Sequence, residues 1–158
     1  MNIASLLPID AVIPRLQARD KKQVLKLLSA HAAKFCKLPE KEIFATLTKR
    51  EDTSCTGMGN GICIPHARFD SLDSPHIVFA RLDKAVNFNA IDGKKVDLVF
   101  LLLSPESDDD TEHLKILATL SKLLRDKELC NVLRTTEDAA KMHELLIADY
   151  SKKQKTAH

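Results

Sequence analysis

A histidine that directly follows a proline is the strongest candidate for chemistry in this sequence. Pro65 fixes its own backbone dihedral angle and favours an extended Ile64, so His66 leaves the chain at a stiff strand end. A neutral imidazole with one N–H tied to a backbone carbonyl keeps the lone pair of its other nitrogen for nucleophilic attack near neutral pH. His66 is therefore a candidate nucleophile.

The residues upstream of this histidine could hold an anion. Three glycines alternate there, Gly57, Gly59 and Gly61, and a backbone without Cβ atoms lets N–H groups approach an anion closely. Side chains that donate hydrogen bonds surround this segment, namely Ser54, Thr56, Arg50 and Arg68. These groups suit a phosphoryl group, whose transfer depends on positioning and on charge stabilisation. The alternative is a tight loop without a ligand. The Lys-Ser/Thr ending of a P-loop is absent.

A second histidine, His113, follows a helix-start signal at Thr111. If the start of this helix faces His66, the helix dipole and the imidazole would add a second element that stabilises an anion. The alternative is an ordinary exposed helix residue. Spacing alone favours that alternative.

The hydrophobic pattern runs from helices to strands and back to helices. Asp20 and Gln23 fit a capping box for the first helix, and Pro39 fits the first residue of a second helix that ends near 49–50. A loop over 51–61 leads to β-type runs at 62–66, 76–82 and 96–104, with a short edge piece at 85–88 before a turn at 92–93. Later helices are predicted from caps at Thr111, Asp126 and Thr136. We predict an α/β fold with a mixed β-sheet flanked by helices on both sides.

Composition limits the classes of function. The chain has 158 residues, which predicts one domain over 1–150 and a flexible tail over 151–158. A net charge of +2, without a basic stripe or tryptophan, argues against nucleic-acid binding. No apolar run is long enough to span a membrane, the first residues make a poor signal peptide, and the four cysteines form no CxxC pair. We predict a cytoplasmic protein with reduced thiols.

Several segments together resemble a known family. The segment TGMGNGICIPHAR, preceded by LTKRE and followed by VDLVFLLLSP and EHLKILATLSKLL, resembles the enzyme IIA domain of the bacterial phosphoenolpyruvate phosphotransferase system. It is similar to the fructose/mannitol superfamily and most of all to its nitrogen-regulatory type. The resemblance extends from the first helix to about residue 148.

The resemblance implies specific roles. His66 matches the histidine that is phosphorylated on Nε2 by a small HPr-like phosphohistidine carrier, His113 the second active-site histidine, and Arg50 the nearby arginine. It implies no bound cofactor. Nitrogen-regulatory members regulate protein partners according to phosphorylation state, including potassium-transport components and sensor kinases. Cys55 and Cys63 depart from the family pattern, which commonly has serine and alanine there.

Three alternatives remain open on the sequence. A sugar-specific member would pass the phosphoryl group to a separate IIB protein. A binding module would act through its surface without phosphorylation. A metal could be held by Cys55, Cys63, His66 and His113, although Cys63 and His66 would point to opposite faces of an extended strand.

Overall fold

The computed structural model describes residues 3–53, 57–88, 93–106 and 111–156 of the chain. Six strands form one mixed sheet within this part. Their bounds are β1 (Val12–Leu16), β2 (Gly57–Gly59), β3 (Ile62–Cys63), β4 (His66–Phe69), β5 (His76–Val86) and β6 (Val96–Pro105).

Strand β6 is the centre of the sheet. It pairs antiparallel with β5 on one side, and with β3 and then β4, both parallel, on the other. The sheet is completed by β1, parallel to β5, and by β2, antiparallel to β3. Residues 98–104 of β6 are all buried, so both faces of this strand are covered, as its nearly all-apolar sequence predicts.

Helices provide that cover. Their bounds are α1 (Ile3–Leu6), α2 (Lys21–Ala32), α3 (Glu40–Thr53), α4 (Thr111–Leu124), α5 (Lys127–Thr135) and α6 (Ala139–Thr156). Helices α2 and α3 pack together and contact β5 and β4 respectively, whereas α4, α5 and α6 contact one another and α6 contacts β1. The predicted fold class, a mixed sheet flanked by helices, is confirmed.

The segment predicted as a loop over 51–61 has more structure than expected. Helix α3 continues to Thr53, and β2 and β3 form a hairpin around Asn60 and Gly61. Both turn residues have positive φ, 57° for Asn60 and 81° for Gly61, as the favoured two-residue hairpin turns require. The Asn-Gly pair was the sequence signal for this hairpin.

The strand predicted over 62–66 is interrupted rather than ended. Ile62 pairs with Leu98 and His66 with Leu102, so β3 and β4 follow one line along β6 with the same register. Pro65 cannot donate to the ladder, and its carbonyl accepts from Leu102 N at 2.9 Å. His66 therefore begins a second strand segment, β4, and does not end the first one.

Caps and termini differ from expectation in two places. Asp20 and Asp126 cap α2 and α5 as predicted, but Thr136 ends α5, and Asp138 accepts from Ala140 N at the start of α6. The predicted tail at 151–158 is helical as far as Thr156. Half-buried Lys153 bonds to Asp126 and so ties this last part of α6 to the start of α5.

Candidate functional site

The imidazole of His66 is held by its own backbone. Nδ1 lies 2.9 Å from the carbonyl oxygen of Ile64. A carbonyl can only accept, so Nδ1 carries the proton and, in the neutral ring, the lone pair is on Nε2. Pro65 favours this geometry because it fixes its own φ and holds the preceding residue, Ile64, in an extended conformation. The ring is thus fixed in the tautomer that a nucleophilic Nε2 needs.

His113 lies beside this ring. The two imidazole centroids are 5.5 Å apart and their planes are inclined by 51°. His113 is in the first turn of α4 and is only 9% exposed, so it is not the exposed helix residue that spacing alone favoured. The start of α4 therefore faces His66, and its positive end lies near the point where an anion on His66 would be.

A serine that the sequence reasoning missed orients His113. Ser104 Oγ lies 2.8 Å from His113 Nδ1, and Ser104 is 2% exposed. This residue is the single hydroxyl in the apolar run VDLVFLLLSP. A lone buried hydroxyl at the end of a central strand requires a partner, and that requirement was the available signal.

Arg68 belongs to the same face of the sheet as His66. The two residues are two apart on β4, and side chains at this spacing point to one side. Arg68 pairs in register with Ser104, so the guanidinium stem starts next to the serine that holds His113. Arg68 is half-buried. The structure thus brings together His66, His113, Ser104 and Arg68.

The other predicted donors lie partly or wholly outside the described part of the structure. Arg50 lies near the end of α3, a helix that contacts β4, but its side chain is outside the described part of the structure. Ser54, Thr56 and Cys55 lie outside the described residues, as does the acidic stretch 107–110 that precedes His113.

Gly59 and Gly61 are not brought to His66. Gly59 precedes the hairpin turn and Gly61 is the second turn residue. The hairpin pairs with β6 four residues before His66 does, a distance of about 13 Å at roughly 3.3 Å per residue. A Cβ on Gly61 would lie 2.7 Å from Arg134 Nη2 and 2.9 Å from Asp97 Oδ1. Here the glycine makes room for an ion pair.

The described cysteines are buried thiols and belong to no metal site. Cys36, Cys63 and Cys130 are buried free thiols, as predicted for them. Within the described ranges, no group of three or more histidine, cysteine or acidic side chains is arranged to hold a metal ion. None of the described helices is both long enough and apolar enough to cross a membrane.

Comparison with known sequences identifies relatives over nearly the whole chain. The model of the phosphoenolpyruvate-dependent sugar phosphotransferase system EIIA 2 family matches residues 5–149. The nitrogen regulatory protein of Bradyrhizobium diazoefficiens is 40% identical over 92% of this chain and 95% of its own length. The nitrogen regulatory protein of Escherichia coli K12 is 33% identical over 92% of this chain and 90% of its own length.

Solved structures show the same architecture. The nitrogen regulatory protein IIA-Ntr from Neisseria meningitidis superposes with a TM-score of 0.86 at 30% identity, covering 91% of this chain and 98% of that one. The IIA mannitol protein from Escherichia coli shares the fold, with a TM-score of 0.75 at 20% identity over 88% of this chain and 97% of that chain.

Proposed function

Because the chain belongs to the EIIA 2 family of the phosphoenolpyruvate-dependent sugar phosphotransferase system, we propose that it is a phosphocarrier that accepts a phosphoryl group on Nε2 of His66. The observation that carries this proposal is the bond from His66 Nδ1 to the Ile64 carbonyl. That bond leaves the Nε2 lone pair as the nucleophile of the neutral ring.

The transfer step follows from this tautomer. The Nε2 lone pair attacks the phosphorus of a phosphohistidine on a small HPr-like donor, forming a new N–P bond. The donor N–P bond breaks, and its electron pair returns to the donor imidazole. No proton has to leave His66, because Nδ1 keeps its proton and its bond to Ile64. Positioning and charge stabilisation are then the main requirements.

The surroundings of His66 supply that stabilisation. The first turn of α4 and the His113 imidazole lie beside the ring, and Arg68 starts from the same sheet face. These groups would offset the charge of the equatorial phosphoryl oxygens. Ser54, Thr56 and Arg50 remain sequence-based candidates for further donors.

Regulation of other proteins is the role we propose for the phosphorylated and unphosphorylated forms. Identity is higher to a nitrogen regulatory protein, 40%, than to the fructose-specific EIIABC component of Bacillus subtilis, 32%. Candidate partners are potassium-transport components and sensor kinases. The sugar-specific alternative, in which a separate IIB protein takes the phosphoryl group, is motivated by the solved complex of the E. coli mannitol IIA with phosphorylated IIB.

The proposal is tested by phosphorylating the purified protein with phosphoenolpyruvate, enzyme I and an HPr-like carrier, and by measuring intact mass at neutral to alkaline pH. We expect a gain of one acid-labile phosphoryl group in the native chain and none in His66→Ala. His143→Ala is the matched control. His143 lies on α6, its Nε2 bonds to the Leu7 carbonyl, and α6 contributes none of the residues described around His66, so this variant should be phosphorylated like the native chain.

Two results would refute the proposal. One is a full mass gain in folded His66→Ala, which would place the phosphoryl group elsewhere. The other is no gain in the native chain with carriers that phosphorylate a known IIA protein in the same mixture. For the partner class, transfer from the phosphorylated chain to a fructose-type IIB protein would favour the sugar-specific alternative.

A further inference from the structure

A concave site lies near the amino end of strand β6, at the other end of this strand from His66. A cavity of about 700 Å³ opens between the β2–β3 hairpin, the start of β6, and helices α4 and α5. Small-molecule sites commonly have volumes of about 300–1,000 Å³. The cavity includes the hairpin turn at Asn60 and Gly61 and none of the residues around His66.

Most of the charged side chains described in the lining of this cavity are cationic. Five basic residues contribute, Lys94, Lys95, Arg125, Lys127 and Arg134, against one acidic residue, Asp97. Asp97 is already compensated, since both of its carboxylate oxygens accept from Arg134 Nε, at 2.8 and 3.0 Å. In the part of the chain that is described, Lys95, Arg125 and Lys127 form no ion pair. The cavity therefore has an excess of positive charge.

The floor of the cavity differs from its rim. Ile62, Leu124 and Cys130 line it and are buried, whereas Lys95, Arg125 and Lys127 are exposed. An apolar floor beneath a cationic rim suits a molecule with an apolar or aromatic part and several negative charges. Ser121 and Asn131 add a hydroxyl and an amide to the lining, which can fix orientation.

We propose that this cavity is a binding site for an organic phosphate of about nucleotide size that carries two or more negative charges. A ligand with one carboxylate would neutralise only part of the charge of Lys95, Arg125 and Lys127, which all line the cavity. A diphosphate instead offers oxygens to the guanidinium of the arginine and to both ammonium groups. The inference does not depend on the proposed function.

The anion would be held by side chains and not by the end of a helix. Asp126 already caps α5 and accepts from Glu128 N and Leu129 N. The carboxylate of Asp126 is in turn paired with Lys153 at 3.0 Å, so it opposes an incoming anion less than an unpaired acid would. Because the cations are exposed, the affinity should fall as salt is added.

The experiment titrates the full chain with ADP in the absence of divalent cations, using calorimetry for affinity and backbone amide shifts for location. We expect saturable binding of ADP, no binding of adenosine, and shift changes around Asn60, Asn131 and Arg125. Removing Arg125 and Lys127 together, as Arg125→Gln plus Lys127→Gln, should weaken ADP by about tenfold or more, since each charge-assisted contact is lost.

Two variants make the test specific. Lys41→Gln plus Lys141→Gln removes the same charge from exposed positions of α3 and α6 outside the cavity, and should bind ADP like the native chain. His66→Ala should also leave ADP binding unchanged. Absence of saturable ADP binding, equal binding of adenosine, equal weakening by the Lys41/Lys141 variant, or shift changes centred on His66 would each overturn the proposal. If the cavity variant fails to fold, the native chain still tests the proposal. Its binding of ADP, its binding of adenosine and the location of its shift changes are all measured without any variant.

Discussion

The two ends of strand β6 are built by different means. At its carboxyl end, beside His66, one hydrogen bond orients each of two imidazoles: His66 Nδ1 donates to the Ile64 carbonyl, and His113 Nδ1 shares a hydrogen bond with the Ser104 hydroxyl. At its amino end, Arg134 bonds both to Asp97 and to the carbonyl of Asn60, at 2.6 Å. An ion pair therefore closes the hairpin at one end, whereas hydrogen bonds orient two histidine rings at the other.

The two ends of β6 should therefore differ in what a substitution changes: folding stability at the hairpin end and the chemistry of His66 at the other end. The line from the hairpin through β3 to β4 keeps one register on β6, so the hairpin end locates His66 without contacting it. Substitutions at the hairpin end should mainly lower the free energy of unfolding. Substitutions at the histidine end should mainly lower the rate of the proposed phosphoryl transfer.

The largest effect on stability is expected at Gly61. In Gly61→Ala the new Cβ meets Arg134 and Asp97 at a φ of +81°, so backbone strain adds to a disturbed ion pair. We expect the free energy of unfolding to fall by about 2–4 kcal/mol, measured by urea denaturation. Gly93→Ala is the control, because φ is +72° there but nothing lies within 4 Å; it should lose only about 1 kcal/mol. Equal losses of unfolding free energy in the two variants would show that the Arg134–Asp97 ion pair does not require the absence of a Cβ at Gly61.

A smaller effect, and on a different property, is expected at Ser104. Ser104→Ala removes the partner of His113 Nδ1, so the imidazole loses its orientation and phosphoryl uptake by His66 should slow by about tenfold, equivalent to ~1.4 kcal/mol. Ring ¹⁵N shifts of His113 should change together with the rate. Ser29→Ala is a matched control, since buried Ser29 Oγ donates to the Leu25 carbonyl at 2.7 Å within α2, a helix that contributes none of the residues described around His66. A slower rate in both variants would remove Ser104 from the site.

The smallest effect is expected from His76, at the start of β5. Burial lowers the pKa of this imidazole below its ordinary value of 6.5. The unfolded chain then binds the proton first, so stability should fall as the pH drops through 6.5 towards the folded-state pKa and change no further from this group below it. His76→Gln should flatten this part of a stability–pH curve and leave the native and variant curves parallel at pH 8. An unchanged slope would contradict the assignment.

Sequence patterns were sufficient for the sheet centre and for the caps that depend on neighbouring residues. The apolar run at β6 and the caps at Asp20 and Asp126 are local signals, and they are found in the structure. The hairpin at Asn60–Gly61 was missed, although its signal was present, because three alternating glycines suggested an anion loop. The helical stretch beyond Tyr150 was not predicted. It is stabilised by the contact of Lys153 with Asp126, which lies 27 residues earlier in the chain and so gives no local signal.

The sequence by itself determined the fold class and the family. It also determined the orientation of the His66 ring, because Pro65 and the Ile64 carbonyl lie within two residues of this histidine. Tertiary structure alone decided that His113 faces His66, that Ser104 holds His113, and that Gly59 and Gly61 lie at the opposite end of the sheet. The physical reason is strand register. It decides which distant residues become neighbours, and it depends on the summed pairing of whole strands and not on any short motif.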